Sequence, residues 1–394
     1  MLIESLSSLF LMVSLLGLFY ALNAKKPILP KKPKTLPKVS AMIYAYEKDW
    51  AGNIIRRKIE NFLALDYPKD KYEIIVYDNG STSETLKICN EYVKKGLIKH
   101  YRSNKGYKRK GLVLDDVIRD VARGDIIALT DPDGVCEKDW LMKHVCNLMS
   151  NKRIGASIGM IFCGNWYKNL LTVMRGIEDL WMMDIASLGR WGKKKISDVQ
   201  FICGANYSIK TKAWKDVGGH GKTLVEDAEI ANRLRKKGWK IAVTDAGVWQ
   251  EEVEDLHHLF TQRLRWYNTP MSFIFSKKKF IATILSIAPW LIQFISLFSL
   301  ICFIFSNNLP LRIFSIVPFL ISILAISIGL VKMKEKKFIP FVPIYLTFDA
   351  VISLFCLLAA RILRILGKEI SWVRLSKGRY YHNGTEIRIN KNYL

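Results

Sequence analysis

The chain has 394 residues, enough for one or two domains with a full core. Half of them are hydrophobic, and 60 Lys and Arg stand against 35 Asp and Glu, for a formal net charge of +25. The basic residues cluster beside apolar runs (Lys25, Lys26, Lys31, Lys32, Lys34; Lys277, Lys278, Lys279; Lys332, Lys334, Lys336, Lys337), which fits membrane flanks and anionic lipid and sets nucleic-acid recognition aside.

Four apolar runs, Leu6 to Leu22 and three between Phe280 and Leu366, each approach the roughly 20 residues a membrane-spanning helix needs. The first, within 1–24, lacks a basic start and a small-x-small cleavage pattern, so it reads as an uncleaved anchor with its amino end outside. Residues 25–38 are a Pro- and Lys-rich linker whose prolines exclude helix. A cytoplasmic domain is expected over 39–275. Val39 to Ala45 reads as a strand, followed by a helix over 49–65 and a second strand, Tyr72 to Tyr77, ending at Asp78-Asn79-Gly80-Ser81. A helix to Lys95, a short strand from Ile98 to Tyr101, a helix from Asp115 to Ala122 and a strand from Ile126 to Leu129 follow. This alternation predicts an α/β domain with a parallel, doubly wound sheet, its strand ends setting Asp78, Asp131 and Asp133 along one edge.

Beyond Gly134 the pattern loosens. Arg175 to Arg190 is amphipathic at helical spacing; Val199 to Ile202 reads as a strand, Gly204-Ala205-Asn206 as a small turn, and a helix holds Glu226-Asp227-Ala228-Glu229. Asp255 to Thr269 carries Gln262-Arg263-Leu264-Arg265-Trp266. Helices over 281–305, 311–331 and 341–363 make a membrane region of 276–366, where the kink at Pro289 is tolerable. Three crossings put the basic tail, 367–394, outside, against the positive-inside rule, although Asn383-Gly384-Thr385 is a glycosylation sequon meaningful only there. The seven cysteines include no C-x-x-C pair, which indicates neither a zinc site nor a disulfide framework and suits a reducing compartment.

The chemistry centres on Ile126-Ile127-Ala128-Leu129-Thr130-Asp131-Pro132-Asp133-Gly134. An apolar strand delivers two carboxylates one residue apart and then a glycine, at the edge where open α/β sheets bind ligands. A hard divalent ion takes oxygen ligands and leaves sites for substrate phosphates; Asp-Pro-Asp-Gly is equally ordinary turn chemistry. Glu226 and Asp227 read either as a helix start placing acids against the dipole or as a proton acceptor whose neighbours, Glu226 and Glu229, raise its pKa. Gln262 and Arg265 share a helical face beside Trp266, suiting a diphosphate clamp with a stacking platform or an interfacial helix. His257 and His258 are adjacent and point to different sides of a helix, which counts against a shared metal.

The ordered set Asp78, Asp131-Pro132-Asp133, Glu226-Asp227 and Gln262-Arg263-Leu264-Arg265-Trp266 resembles the D, D-x-D, E-D, Q-x-x-R-W series of membrane family 2 glycosyltransferases, relatives of cellulose, chitin and hyaluronan synthases. Asp78-Asn79-Gly80-Ser81-Thr82, Asn104-x-Gly106 and Gly218-Gly219 also match, and the resemblance covers about residues 37–267. It implies a GT-A fold and a Mg2+- or Mn2+-dependent inverting transfer from a UDP- or GDP-sugar to a lipid or lipid-linked glycan. In it Asp133 binds the metal, Asp131 shares it or contacts the ribose, and Asp78 meets the nucleoside. Tyr44, Tyr46 and Glu47 hold the base, though Tyr44-Ala45-Tyr46-Glu47 lacks the family's proline and asparagine. Asp227 is the catalytic base and Glu226 lies on the acceptor side. Gln262 and Arg265 bind the diphosphate, and Trp266 stacks on a sugar. Lys108 is assigned to the donor, although in a run this basic a solvated face is the favoured account of Lys108 and Lys110. The rival readings are a processive polysaccharide synthase, a transferase onto polyprenyl phosphate, and a non-enzymatic scaffold binding membrane lipids.

Overall fold

A computed structural model describes residues 2–45, 52–81, 83–103, 105, 107, 109–185, 201–223, 225–267 and 280–366. Its strands are β1 (Val39–Ala45), β2 (Tyr72–Asp78), β3 (Lys99–Arg102), β4 (Ile126–Thr130), β5 (Val135–Cys136), β6 (Ile154–Cys163), β7 (Asn206–Lys210) and β8 (Lys240–Gln250). The helices are α1 (Leu2–Asn23), α2 (Gly52–Leu63), α3 (Ser83–Lys94), α4 (Lys110–Asp120), α5 (Trp140–Met149), α6 (Leu170–Glu178), α7 (Thr211–Asp216), α8 (Glu226–Lys236), α9 (Leu256–Tyr267), α10 (Phe280–Phe305), α11 (Leu309–Lys332) and α12 (Val342–Ile365). They fall into two compact units, one from the described residues of Pro27–Asn165 and Lys195–Glu252, the other from those of Met1–Lys26, Trp166–Lys194 and Val253–Ile370.

The first unit is built on one sheet, ordered β3-β2-β1-β4-β7-β6-β8-β5. All seven residues of β1 and all five of β4 are buried, as central strands covered on both faces must be. Ser40 is tolerated inside β1 because its hydroxyl donates to Glu73 at 2.6 Å and accepts the Gly124 amide at 2.9 Å. A Cβ on Gly124 would fall 2.3 Å from the Ser40 nitrogen and 2.7 Å from the Val39 carbonyl carbon. Gly124→Ala is therefore expected to cost at least about 1–3 kcal/mol through overpacking, measured as a lower unfolding midpoint.

The parallel expectation holds only for β3-β2-β1-β4. From β4 onward the sheet is mixed: β7 runs antiparallel to both β4 and β6, β6 and β8 are parallel, and β5 is antiparallel to β8. Asn206, expected in a turn, starts β7 as a wholly buried tie. Its amide nitrogen donates to Met160 O and Ala246 O at 2.8 and 2.9 Å, beside the irregular register of β6 on β8 between Ile158 and Met160. Residues 199 and 200 of the expected strand lie outside the described residues, and Phe201 and Ile202 are not in a strand. The helix expected from Arg175 starts earlier, at the Asn169–Thr172 capping box, and passes into a π-turn over Asp179–Ile185; residues 186–190 lie outside the described residues. Helix α4 begins at Lys110 rather than Asp115, which matters for the site.

His144 is buried against Ser157 and Asn206 at 3.0 and 3.1 Å. Burial pushes its pKa down to about 4, against a smaller upward pull from Asn206. The unfolded chain takes up this proton near pH 6.5 and the folded one does not, so stability is complete above that value and lost as pH falls toward 4. A loss of roughly 3 kcal/mol over that window follows from 1.36 kcal/mol per pKa unit. His144→Gln should flatten the pH dependence of the unfolding midpoint over the same range.

The second unit is helical. Among the described residues, Leu309–Lys332 and Lys336–Ile365 are long and apolar enough to cross a membrane, and the parts Ser8–Asn23 of α1 and Leu291–Phe305 of α10 are apolar too. Helix α10 continues through Pro289. Polar side chains link the helices: Ser14 and Ser322 hydroxyls lie 3.2 Å apart, and Gln293 donates to the Tyr345 hydroxyl at 2.5 Å. Serine and amide bonds of this kind join helices where no hydrophobic gain separates helix from lipid. No disulfide joins any of the seven cysteines. The tail from residue 367, with its sequon, lies outside the described residues.

Candidate active site

In the parallel half of the sheet the chain moves from β1 outward to β2 and β3, then returns to place β4 on the other side of β1. The crevice outside the carboxyl ends of β1 and β4 is thus the switch point at which open α/β sheets bind ligands. Ala45 pairs with Asp78, and Ile43 with Thr130, so Tyr44, Asp78 and Asp131 reach this edge together. Tyr44 and Tyr77 pack with ring centroids 5.0 Å apart. Tyr46, Glu47 and Lys108 lie outside the described residues.

Asp78 is fully buried at the end of β2. Its Oδ1 accepts from the amides of Gly80 and Ser81 at 3.0 and 2.7 Å and from the Ser81 hydroxyl at 2.6 Å. His100 and Arg102 lie 3.5 Å from Oδ2. Burial works to raise its pKa, but His100, Ser81 and Arg102 outweigh it and hold the carboxyl below the usual range. Asp78 is thus a carboxylate locked in an Asx turn, with Oδ2 toward the basic side chains.

The acidic stretch after β4 is both a turn and a charged site. Gly134 N donates to Asp131 O at 3.2 Å, closing the turn. The Asp131 side chain, 37% exposed, pairs with Lys110 at 2.7 Å. Lys110 is not the solvated basic face that composition suggested. Its side chain is 11% exposed and passes over the Tyr44 ring at 5.4 Å. Burial works to lower its pKa, but Asp131, Tyr77 and Glu226 raise it well above normal, so it stays charged. Being the first residue of α4, it is delivered to this edge by the helix starting five residues earlier than the sequence suggested.

Asp133 is buried, and its Oδ1 has no hydrogen-bond partner among the described residues. Burial pushes its pKa well above the usual range, and the charges of Asp131, Glu251 and Glu252 add to this against Arg57. Sequence reasoning missed the support behind it. Arg57 donates to Asp133 O at 2.9 Å and pairs with Glu251 at 3.1 Å. The buried Lys58 donates to Gly134 O at 2.6 Å. The Arg57-Lys58 pair carried no local signal of this in the sequence. Among the described residues no three His, Cys, Asp or Glu side chains gather as a closed metal cage. The orphaned Asp133 oxygen beside Asp131 fits instead an ion held by one or two carboxylates and completed by substrate phosphates.

Asp227 opens α8. Its Oδ2 accepts from Gly204 N and its Oδ1 from Ala228 N, each at 2.8 Å, so the small turn around Gly204 holds the carboxylate in place. The neighbouring Glu226 is buried, and burial raises its pKa, with Lys110 opposing and Asp227 adding to the rise. One connected patch thus brings Asp131, Lys110, Tyr44, Tyr77 and Glu226 together, next to Asp227 on one side and Asp133 on the other.

Gln262, Arg265 and Trp266 stand on α9, in the helical unit. Gln262 Oε1 has no hydrogen-bond partner among the described residues. The intervening Arg263, only 1% exposed, pairs with Glu178 and, at 2.8 Å, with Asp349. The Trp266 ring has the Arg175 and Arg263 guanidiniums 5.6 and 5.1 Å from its centroid. Among the described residues His258 belongs to no metal cluster; Asp255, just before α9, accepts the His258 amide at 2.9 Å and caps that helix.

A family model described as "Glycosyltransferase like family 2" matches residues 37–269. A probable glycosyltransferase, YdaM, of Bacillus subtilis is 32% identical over 241 residues, 59% of this chain and 55% of the relative. A beta-monoglucosyldiacylglycerol synthase of Nostoc is 27% identical over 242 residues, 59% of this chain and 48% of the relative. The chain spans about half the length of these curated relatives. Among solved structures, the mannosyltransferase PcManGT of Pyrobaculum calidifontis, in complex with GDP-Man and Mn2+, superposes with a TM-score of 0.60 at 16% identity, covering 93% of this chain and 99% of that one.

Proposed function

Because the chain belongs to the glycosyltransferase-like family 2, with a mixed α/β sheet of GT-A type, we propose that it moves a sugar from a UDP- or GDP-sugar to a lipid or lipid-linked glycan. The acceptor follows the diacylglycerol synthase likeness, and the two helices long and apolar enough to cross a membrane support a membrane setting for it. The observation that carries the reading is the acidic turn at the switch point: Asp131 ion-paired to Lys110, and Asp133 buried with an oxygen that no described donor reaches.

In this reading Asp133, with Asp131, holds a divalent ion, Mg2+ or Mn2+. When bound, the ion supplies Lewis-acid neutralisation of the leaving diphosphate. Tyr44 lines the base, Asp78 meets the nucleoside, and Lys110 adds a fixed positive charge on the donor side. An acceptor hydroxyl oxygen bonds to the anomeric carbon as the bond from that carbon to the diphosphate oxygen breaks. The diphosphate leaves with the electron pair, and the hydroxyl proton passes to Asp227. Glu226, whose carboxyl burial favours as the neutral acid, borders the acceptor side. Gln262 and Arg265 donate to the diphosphate, Arg265 as a planar fork, and Trp266 offers an apolar face to a sugar.

The test is a panel of labelled nucleotide-sugars with the purified chain in diacylglycerol-containing vesicles, with and without EDTA, followed by product sizing. A single glycolipid product that appears with Mg2+ or Mn2+ and is lost in Asp133→Ala is expected. A ladder or retained polymer would replace single transfer with processive synthesis. Absence of metal-dependent nucleotide-sugar binding would leave the lipid-binding scaffold reading instead.

A further inference from the structure

Five residues beyond Lys110 on α4 lies Asp115, buried, with a carboxylate whose bonding partners are far away in sequence. Its carboxylate accepts the His220 amide at 2.8 and 3.0 Å, the Gly221 amide at 3.2 Å, and Trp214 Nε1 at 3.1 Å. His220 Nδ1 stands 2.9 Å from the same carboxylate, and its Nε2 is 2.7 Å from the Tyr207 hydroxyl. A carboxylate only accepts, so in the tautomer that bonds Asp115 the ring donates Nδ1–H to it, with Trp214 Nε1 also 3.2 Å from Nδ1, and in that neutral ring Nε2 accepts from Tyr207. Burial raises the Asp115 pKa, but the bonds from His220 and Gly221 outweigh it and keep the carboxyl charged.

The loop around this hub is built for close approach. Gly218, Gly219 and Gly221 all have positive φ, and a Cβ on Gly219 would strike the Asp115 carboxylate at 2.7 Å. A side chain on Gly111 would fall 2.7 Å from Gly221 O, 3.1 Å from Glu226 Cβ and 3.3 Å from His220 Cβ. Gly111 therefore lets the loop and the start of α8 press against the helix that carries Lys110. From the other side Arg233 of α8 donates to Val217 O at 2.7 Å and to His220 O. The loop is clamped between α4 and α8, a few residues before Glu226 and Asp227.

We propose that Asp115 and His220 are positioning residues for the transfer: the Asp115–His220–Tyr207 chain, locked behind Gly111, sets the start of α8 and so places Glu226 and Asp227 against Lys110 and Asp131. This rests on the reading of Asp227 as the base. The chain touches neither donor nor acceptor, and its removal acts on the rate of transfer rather than on donor binding. A misplacement of about 1 Å in a reacting constellation costs on the order of 100-fold, which sets the scale expected.

The experiment uses the full chain in vesicles, with kcat, donor KM, metal-dependent nucleotide binding and unfolding midpoint measured for Tyr207→Phe, His220→Asn, His220→Leu and, in parallel, Asp227→Asn. Asn at 220 can still donate to Asp115 where Leu cannot. The expected result is a fall in kcat of about 10- to 100-fold for Tyr207→Phe and His220→Leu, with donor KM and nucleotide affinity within about threefold of wild type and His220→Asn recovering much of the loss. Undiminished kcat in folded Tyr207→Phe and His220→Leu, beside an inactive Asp227→Asn, overturns the positioning role alone. So does a kcat that falls only in proportion to the folded fraction. Full activity in Asp227→Asn would overturn the base assignment and this proposal with it.

Discussion

Asp227→Asn is expected to slow sugar transfer by about 10²- to 10⁴-fold, the usual contribution of a positioned general base, while the protein folds and binds nucleotide-sugar as before. The substitution is nearly isosteric. Its amide oxygen can keep one of the two bonds that the carboxylate accepts from Gly204 and Ala228. What it loses is the capacity to take a proton. Donor KM should stay within about threefold, because the donor-side charges, Asp131 and Lys110, do not depend on that proton. Steady-state kinetics with varied donor and acceptor would check this. A fall in donor affinity matching the fall in rate would count against Asp227 as the base.

The second large effect is expected in the helical unit. Asp349 on α12 and Glu178 on α6 together hold the buried Arg263 guanidinium of α9. Arg263 also borders the Trp266 ring and stands between Gln262 and Arg265. Removing one partner of a buried ion pair leaves charge without compensation and typically costs about 3–5 kcal/mol. Asp349→Ala should therefore lower the unfolding midpoint in detergent by that order, and Asp349→Asn less, since its amide oxygen can still accept from Arg263. Midpoints indistinguishable from wild type in both variants would mean that Glu178 alone satisfies Arg263.

Much of the first half of the chain was legible without coordinates. The strands from Val39, Tyr72 and Ile126 alternate with helices, and their ends carry Asp78 and Asp131-Pro132-Asp133, all local patterns. The strand Ile154–Cys163 was not legible, because a fully buried run of ten residues shows no alternation to separate it from a buried helix. Asn206 looked like a turn residue because Asn usually is one, and only the two carbonyls it bridges make it a strand start.

The site divides in the same way. Asp131-Pro132-Asp133, Glu226-Asp227 and Gln262 to Trp266 were picked out because their order resembles a family series; taken singly, each reads equally as a turn, a helix start or an interfacial helix. Sequence alone determined the class of reaction to look for and the carboxylates to suspect. Tertiary structure decided which of them is buried, that Lys110 is paired with Asp131 rather than left to solvent, and that His220 meets Asp115 across 105 residues of chain. The physical reason is that charge state and burial depend on what lies across space from a side chain, and that neighbourhood is written in no stretch of sequence short enough to read locally.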